Sequence, residues 1–102
     1  MAKLVALYKT PADPEAFDAH YFSKHVPLAK SIPGLRRYEV SVGPVATARG
    51  ESPYGLAAIL SFDSIESLQQ AMGTPEAAAT TADLQNFAQA GVELLVFDSK
   101  EV

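Results

Sequence analysis

Three short segments of this chain are apolar on both of the faces that a β-strand presents. Leu4 and Ala6 alternate with Val5 and Leu7, Ala58, Leu60 and Phe62 with Ala57 and Ile59, and Val92, Leu94 and Val96 with Leu95 and Phe97. Successive side chains of a strand point to opposite sides of the sheet. A strand with one wet face therefore alternates between apolar and polar residues. These segments need cover on both sides. A chain of 102 residues is one domain, and such a domain buries a modest core. Its helices can cover one face of a small sheet. The other face would leave a contiguous apolar patch in water, which monomers avoid. Sheet-on-sheet packing with a second copy removes it, so the pattern predicts a homodimer.

The order of the elements follows from the punctuation between them. Lys3–Lys9 reads as a strand bounded by Thr10-Pro11. Asp13-Pro14-Glu15 starts a helix, with an N-cap acid, a first-turn proline and a carboxylate near the positive helix end. Phe17, Tyr21, His25, Leu28 and Ile32 form its apolar stripe. Pro27 has no N–H for the Ser23 carbonyl and disfavours helical geometry at Val26, which predicts a kink or non-helical step at His25–Val26. Pro33-Gly34 ends the element. Leu35–Val42 is a second strand, with Arg36, Tyr38, Val40 and Val42 on one face. Gly43–Pro53 is rich in Gly, Pro, Ala and Ser and reads as a loop. Gly55–Phe62 is a third strand. Asp63 and Glu66 form a capping box for a helix carrying Ile65, Leu68 and Met72. It pauses at Gly73 and restarts at Thr74-Pro75-Glu76, with Ala78, Ala82, Leu84 and Phe87 as apolar contacts. Gly91–Phe97 is the fourth strand. The sum is β-α-β-β-α-β, an α+β domain of ferredoxin-like type with a four-stranded antiparallel sheet.

Composition excludes several chemistries. The net charge is −4 and the basic residues are scattered, a poor match for phosphate backbones, so nucleic acid is not an expected partner. With no cysteine there is no disulfide, thiolate nucleophile or cysteine-bound metal. No segment has the length of a membrane span, and Met1-Ala2-Lys3-Leu4-Val5 lacks the pattern of a secretory signal. The expected location is the cytoplasm. There is no Gly-x-Gly-x-x-Gly turn, phosphate loop or Gly-x-Ser-x-Gly elbow, and no acid pair of glycosidase type.

A resemblance covers essentially the whole chain. Leu4-Val5-Ala6-Leu7-Tyr8 leads through Pro11-Ala12-Asp13-Pro14 into Phe17-Asp18-Ala19-His20-Tyr21-Phe22. His25-Val26-Pro27-Leu28-Ala29 and Ile32-Pro33-Gly34-Leu35-Arg36 follow. Phe62-Asp63-Ser64, Asp83-Leu84, Asn86-Phe87 and Gly91-Val92 complete the set. This resembles the EthD family, named from ethyl tert-butyl ether degradation, within the dimeric α+β barrel superfamily. His-Val-Pro-Leu followed by Ile-Pro-Gly-Leu carries most of the specificity. The resemblance implies two ferredoxin-like subunits joined through their sheets, with a ligand pocket between each sheet and its helices. The superfamily includes cofactor-free monooxygenases, lactone isomerases, polyketide dehydratases and haem-degrading enzymes. The family's namesake is an accessory factor beside a cytochrome P450 system.

His25 is the first candidate for chemistry. It lies on the apolar stripe near the end of a helical run, where the helix terminus favours the imidazolium and burial favours the neutral ring. Those opposed influences suit a general acid or base. The competing reading is a structural histidine bonded to a carbonyl freed by Pro27. Tyr21, one turn earlier, can reach the neighbourhood of His25 and is the second catalytic candidate. Tyr8, Phe17, Tyr38 and Leu28 are candidate ligand-binding residues, and core packing is the alternative for each. Tyr54 closes the Gly/Pro loop. His20 reads as solvated on the polar side of the helix. Its five-residue spacing from His25 is wrong for two metal ligands on one helical face, so no metal is expected, and no cofactor or tightly bound haem. Glu93, inside an apolar strand, is expected at an edge or paired with a basic residue.

Three functions remain open. The first is an EthD-like protein that binds a small organic molecule and assists or catalyses a step in its degradation, as an accessory to an oxidative pathway for example. The second is a cofactor-free isomerase, lyase or monooxygenase using His25. The third is a structural dimer whose pocket is filled by its own side chains.

Overall fold

The computed structural model describes residues 1–102. The elements are β1 (Ala2–Lys9), α1 (Pro14–His20), a π-helical turn (Tyr21–His25), α2 (Val26–Lys30), β2 (Arg37–Val40), β3 (Ala46–Thr47), β4 (Gly50–Glu51), β5 (Tyr54–Phe62), α3 (Ile65–Met72), α4 (Pro75–Phe87) and β6 (Val92–Asp98). Strands β2, β5, β1 and β6 form one antiparallel sheet in that order. This is the α+β, ferredoxin-like arrangement expected from the order of elements.

The first helical element differs from expectation in an instructive way. His25 and Val26 both have right-handed helical dihedrals, so no non-helical step occurs at Pro27. The chain instead widens just before the proline, and the Val26 N–H bonds to the Tyr21 carbonyl five residues back. An α-helix turns 3.6 residues per revolution, so each step of four residues overshoots by about 40°. The wide turn absorbs that drift and keeps Phe17, Tyr21 and His25 buried together. Pro27 then falls in the first turn of α2, where a missing N–H is tolerated.

Other boundaries shift by small amounts. The second helix is capped by Ser64, whose Oγ accepts from the Ser67 N–H. Asp63 is not the cap, because its carboxylate is held by the Arg36 guanidinium at 2.8 and 3.1 Å. Gly73 and Thr74 divide α3 from α4 as expected, and Thr74 Oγ1 accepts from the Ala77 N–H. The Gly43–Pro53 segment carries a small hairpin, β3 with β4, closed by Gly50. Strand β2 is only four residues long, and Val42 lies beyond it in solvent. Gly34 has φ +84, a left-handed position that lets the chain leave α2 and return beside Phe62.

Ala6, Tyr8, Ala58, Leu60 and Phe62 face the helices and are buried against Phe17, Tyr21, Leu68, Ala77 and Phe87. Fully burying a side chain such as Leu68 stabilises the fold by about 1.5–3 kcal/mol. In α4 the buried positions are Ala77, Thr80, Asp83 and Phe87, whereas Ala78 and Ala82 point outward, contrary to expectation. The opposite side of the sheet carries no helix. There Val5 sits between Ile59 and Leu95, Leu7 between Ala57 and Glu93, and Lys3 between Ser61 and Phe97. Ile59, Leu95 and Phe97 are more than a third exposed. Glu93 on edge strand β6 accepts a 2.6 Å hydrogen bond from the Tyr54 hydroxyl rather than pairing with a base.

Candidate active site

The wide turn aims His25 at the sheet, and α4 brings Asp83 up to meet it. His25 is 4% exposed and Asp83 is 7% exposed. Asp83 Oδ2 lies 2.9 Å from His25 Nδ1. An ionised carboxylate only accepts, so Nδ1 carries the proton and Nε2 presents a lone pair. Nε2 points toward the Tyr8 hydroxyl, 3.5 Å away at the outer limit of hydrogen-bond reach. The series Asp83–His25–Tyr8 thus runs from the helix layer to the sheet.

Asp83 has further partners. His20 Nε2 lies 2.9 Å from its Oδ1 and 3.1 Å from its Oδ2, and the Asn86 side-chain amide donates to Oδ1 at 2.9 Å. His20 is therefore not simply solvated. Its ring stacks on Phe87 at 5.2 Å, and His25 lies 4.7 Å from the other partner of that pair, the same Phe87 ring. Both histidines reach one carboxylate although five residues separate them, because the wide turn alters the helical phase between them.

Burial sets the proton affinities. It pushes His25 below the usual imidazole value, and the nearby Asp83 only partly offsets this. Burial also pushes the Asp83 carboxyl upward, but hydrogen bonds from Asn86, His20 and His25 outweigh it and leave the group below the usual carboxylate range. The phenols of Tyr8, Tyr21 and Tyr38 are raised, chiefly by burial. They remain protonated and act as hydrogen-bond donors or acceptors. Tyr21 and Tyr38 bond each other through their hydroxyls at 2.6 Å.

A cavity of about 50 Å³ lies beside this chain of groups, with room for a few water molecules. Its walls include Leu4, Leu60, Met72 and Leu84, and its polar residues are Tyr8, His25, Tyr38, Thr80 and Thr81. The cavity is thus strongly apolar with a few convergent polar atoms, the usual make-up of a small-molecule site. Of the residues singled out in the sequence, Tyr8, His25 and Tyr38 meet at the cavity and Tyr21 backs it through Tyr38. Phe17 lies in the aromatic core behind Tyr8, at 5.6 Å between ring centres. Leu28 faces an outer groove with His20 and Lys24, and Ala29 takes the cavity side. Sequence reasoning gave Asp83 no role. Its signal was a carboxylate in register with Thr80 and Phe87 on the buried side of α4.

No group of three or more His, Asp or Glu side chains is arranged to hold a metal ion. No helix is long and apolar enough to cross a membrane.

Comparison with known proteins gives consistent results. The model of the EthD domain matches residues 9–91. An uncharacterized 11.0 kDa protein from the thcB–thcC intergenic region of Rhodococcus erythropolis is 40% identical over 102 residues, covering 100% of this chain and 98% of that one. The crystal structure of an ethyl tert-butyl ether degradation family protein from Bacillus halodurans C-125 is 43% identical, with a TM-score of 0.88, over 98% of this chain and 99% of that chain. SnoaB, a cofactor-independent oxygenase from Streptomyces nogalater, shares the fold at 13% identity and a TM-score of 0.69, over 99% of this chain and 94% of that chain.

Proposed function

This chain belongs to the EthD family, and from that premise we propose that it binds a small organic molecule between sheet and helices and that His25 moves a proton on it. One observation carries the reading: a carboxylate-held imidazole presents Nε2, met only by a long contact to the Tyr8 hydroxyl, beside an apolar cavity. Asp83 fixes the ring and its tautomer, and it stabilises the imidazolium that forms when Nε2 takes a proton. A general base of this kind contributes about 10²–10⁴-fold in rate. In this reading Tyr8 and Tyr38, which line the cavity, hydrogen-bond an oxygen of the ligand, and the apolar walls favour a molecule with few polar atoms. Proton removal by a side-chain base is a step that a cofactor-free isomerase, lyase or oxygenase can use. The likeness in fold to SnoaB is in keeping with that class. A step in the breakdown of a small organic compound fits the family name.

A second copy of the chain completes the assembly in this proposal. The uncovered side of the sheet has an apolar row, Ile59, Val5 and Leu95, flanked by Leu7 and Ala57 on one side and Phe97 on the other, with charged groups at Lys3, Arg37, Glu39 and Glu93. An apolar row with charged neighbours suits sheet-on-sheet contact.

The cavity's size favours one alternative. At about 50 Å³ it takes only a small molecule unless flexible side chains such as Met72 move, so Asp83–His25 could instead serve to join the helices. Hydrogen–deuterium exchange at the α-carbon of cyclohexanone in D2O, followed by NMR, separates the two. The proposed base accelerates exchange above buffer, and His25→Ala abolishes that excess. Equal exchange in the parent and in His25→Ala refutes proton transfer by His25.

A further inference from the structure

Two histidines of different exposure share one carboxylate. The His20 side chain is 27% exposed, whereas those of His25 and Asp83 are 5% and 8% exposed. Asp83 supplies a single negative charge. It can offset one imidazolium, and a second would add an uncompensated positive charge beside Phe87 in a partly buried site. The two rings flank that phenylalanine, at 5.2 and 4.7 Å. Charge on one histidine therefore opposes charge on the other.

We propose that His20 is a positioning residue that keeps His25 in its neutral, proton-accepting form by competing with it for Asp83. The proposal rests on His25 being the base. His20 is the more exposed ring and borders grooves on both sides of the helix, with Asp13 in one and Lys24 in the other. It is thus the member whose positive charge water can solvate. Facing His25 are Tyr8 from β1, Tyr21 from its own turn and Asp83 from α4, with Tyr38 of β2 behind Tyr21. The three phenols are neutral in the relevant range. Asp83 and His20 are the charge-bearing groups of the network, so the balance between them sets the proton affinity of His25.

The test is an NMR titration of the two histidine Cε1–H signals in the full chain. His20→Gln keeps a donor to Asp83 but carries no charge. It should raise the His25 midpoint by about half a pH unit or more and move the acid limb of cyclohexanone exchange in the same direction. His20→Lys restores a positive charge and should return the midpoint toward that of the parent. An unmoved His25 midpoint in His20→Gln overturns the proposal. Exchange that still depends on His25 would then leave the base assignment standing. If the parent catalyses no exchange, the base assignment fails, while the midpoint shift still reports the coupling.

Discussion

Asp83→Asn is the most informative single change. The carboxylate accepts from three donors, and it needs both oxygens to do so, Oδ1 for Asn86 and His20 and Oδ2 for His25. An amide offers one acceptor and one donor. Whichever way it is turned, an N–H meets an N–H. Two of the donors, Asn86 and His20, hold the oxygen at the Oδ1 position, which turns the amide nitrogen toward the buried Nδ1–H of His25. A buried donor left without a partner costs about 1–3 kcal/mol. The ring can limit this by changing tautomer, so that Nδ1 accepts from the new amide and Nε2–H points at the Tyr8 oxygen. With that adjustment the loss is about 1–2 kcal/mol, and a domain of this length should melt about 5–15 °C lower. The free lone pair at Nε2 is gone, so the excess exchange should fall about 10²–10⁴-fold. Thermal unfolding by circular dichroism gives the first quantity, and long-range ¹⁵N–¹H correlation spectra of the imidazole give the tautomer. If Asp83→Asn melts with the parent and retains the Nδ1–H form, the account of Asp83 as the group that orients His25 is wrong.

Acid should destabilise the fold in two stages. His25 and Asp83 both hold protons less tightly when folded, so the unfolded chain binds more protons in each window and stability falls as pH falls. The His25 contribution is complete above about pH 6.5 and the Asp83 contribution above about pH 3.9, and each is lost as pH drops through the lower folded-state value. Denaturant midpoints measured from pH 8 to pH 3 check this, and a stability that rises on acidification over that span contradicts it. Placing Asp at both Ile59 and Leu95 puts charge in the apolar row of the open sheet face. Sedimentation at micromolar concentration should show the parent as a dimer and the double variant as a monomer; a monomeric parent removes the proposed pairing.

Strand and helix order was legible because the signals were local and redundant. β1 and β5 announced themselves by apolar runs between Pro- and Gly-bearing turns, and Thr74-Pro75 marked the start of α4 to the residue. The Asp63 cap was misread because Ser64 next to it is an equally good cap, and Arg36, distant in sequence, claims the acid. In α4, Leu84 and Phe87 pack inward as expected, and Ala78 and Ala82 were misread for a different reason. Alanine carries little apolar area, so a helix with Ala77, Ala78, Ala79 and Ala82 has a weak stripe, and Thr80 and Asp83 lie on its buried side. His25 and Tyr8 were visible as isolated candidates. The carboxylate that holds His25 was not, because no pattern in the chain shows that a side chain 58 residues away arrives at Nδ1.

The wide turn at Tyr21–His25 makes this helix unusually sensitive to length. Deleting one residue such as Ser23 would let the segment relax to ordinary winding, and four such residues turn through about 400°, close to what the five of the wide turn span, so α2 would keep its facing. His25 lies inside the turn, and its imidazole would shift around the axis and leave the carboxylate. Point substitutions on the exposed side of that turn are tolerable, but shortening it by one unit is not. In this protein the tally of residues between Phe17 and Pro27 matters as much as their identity.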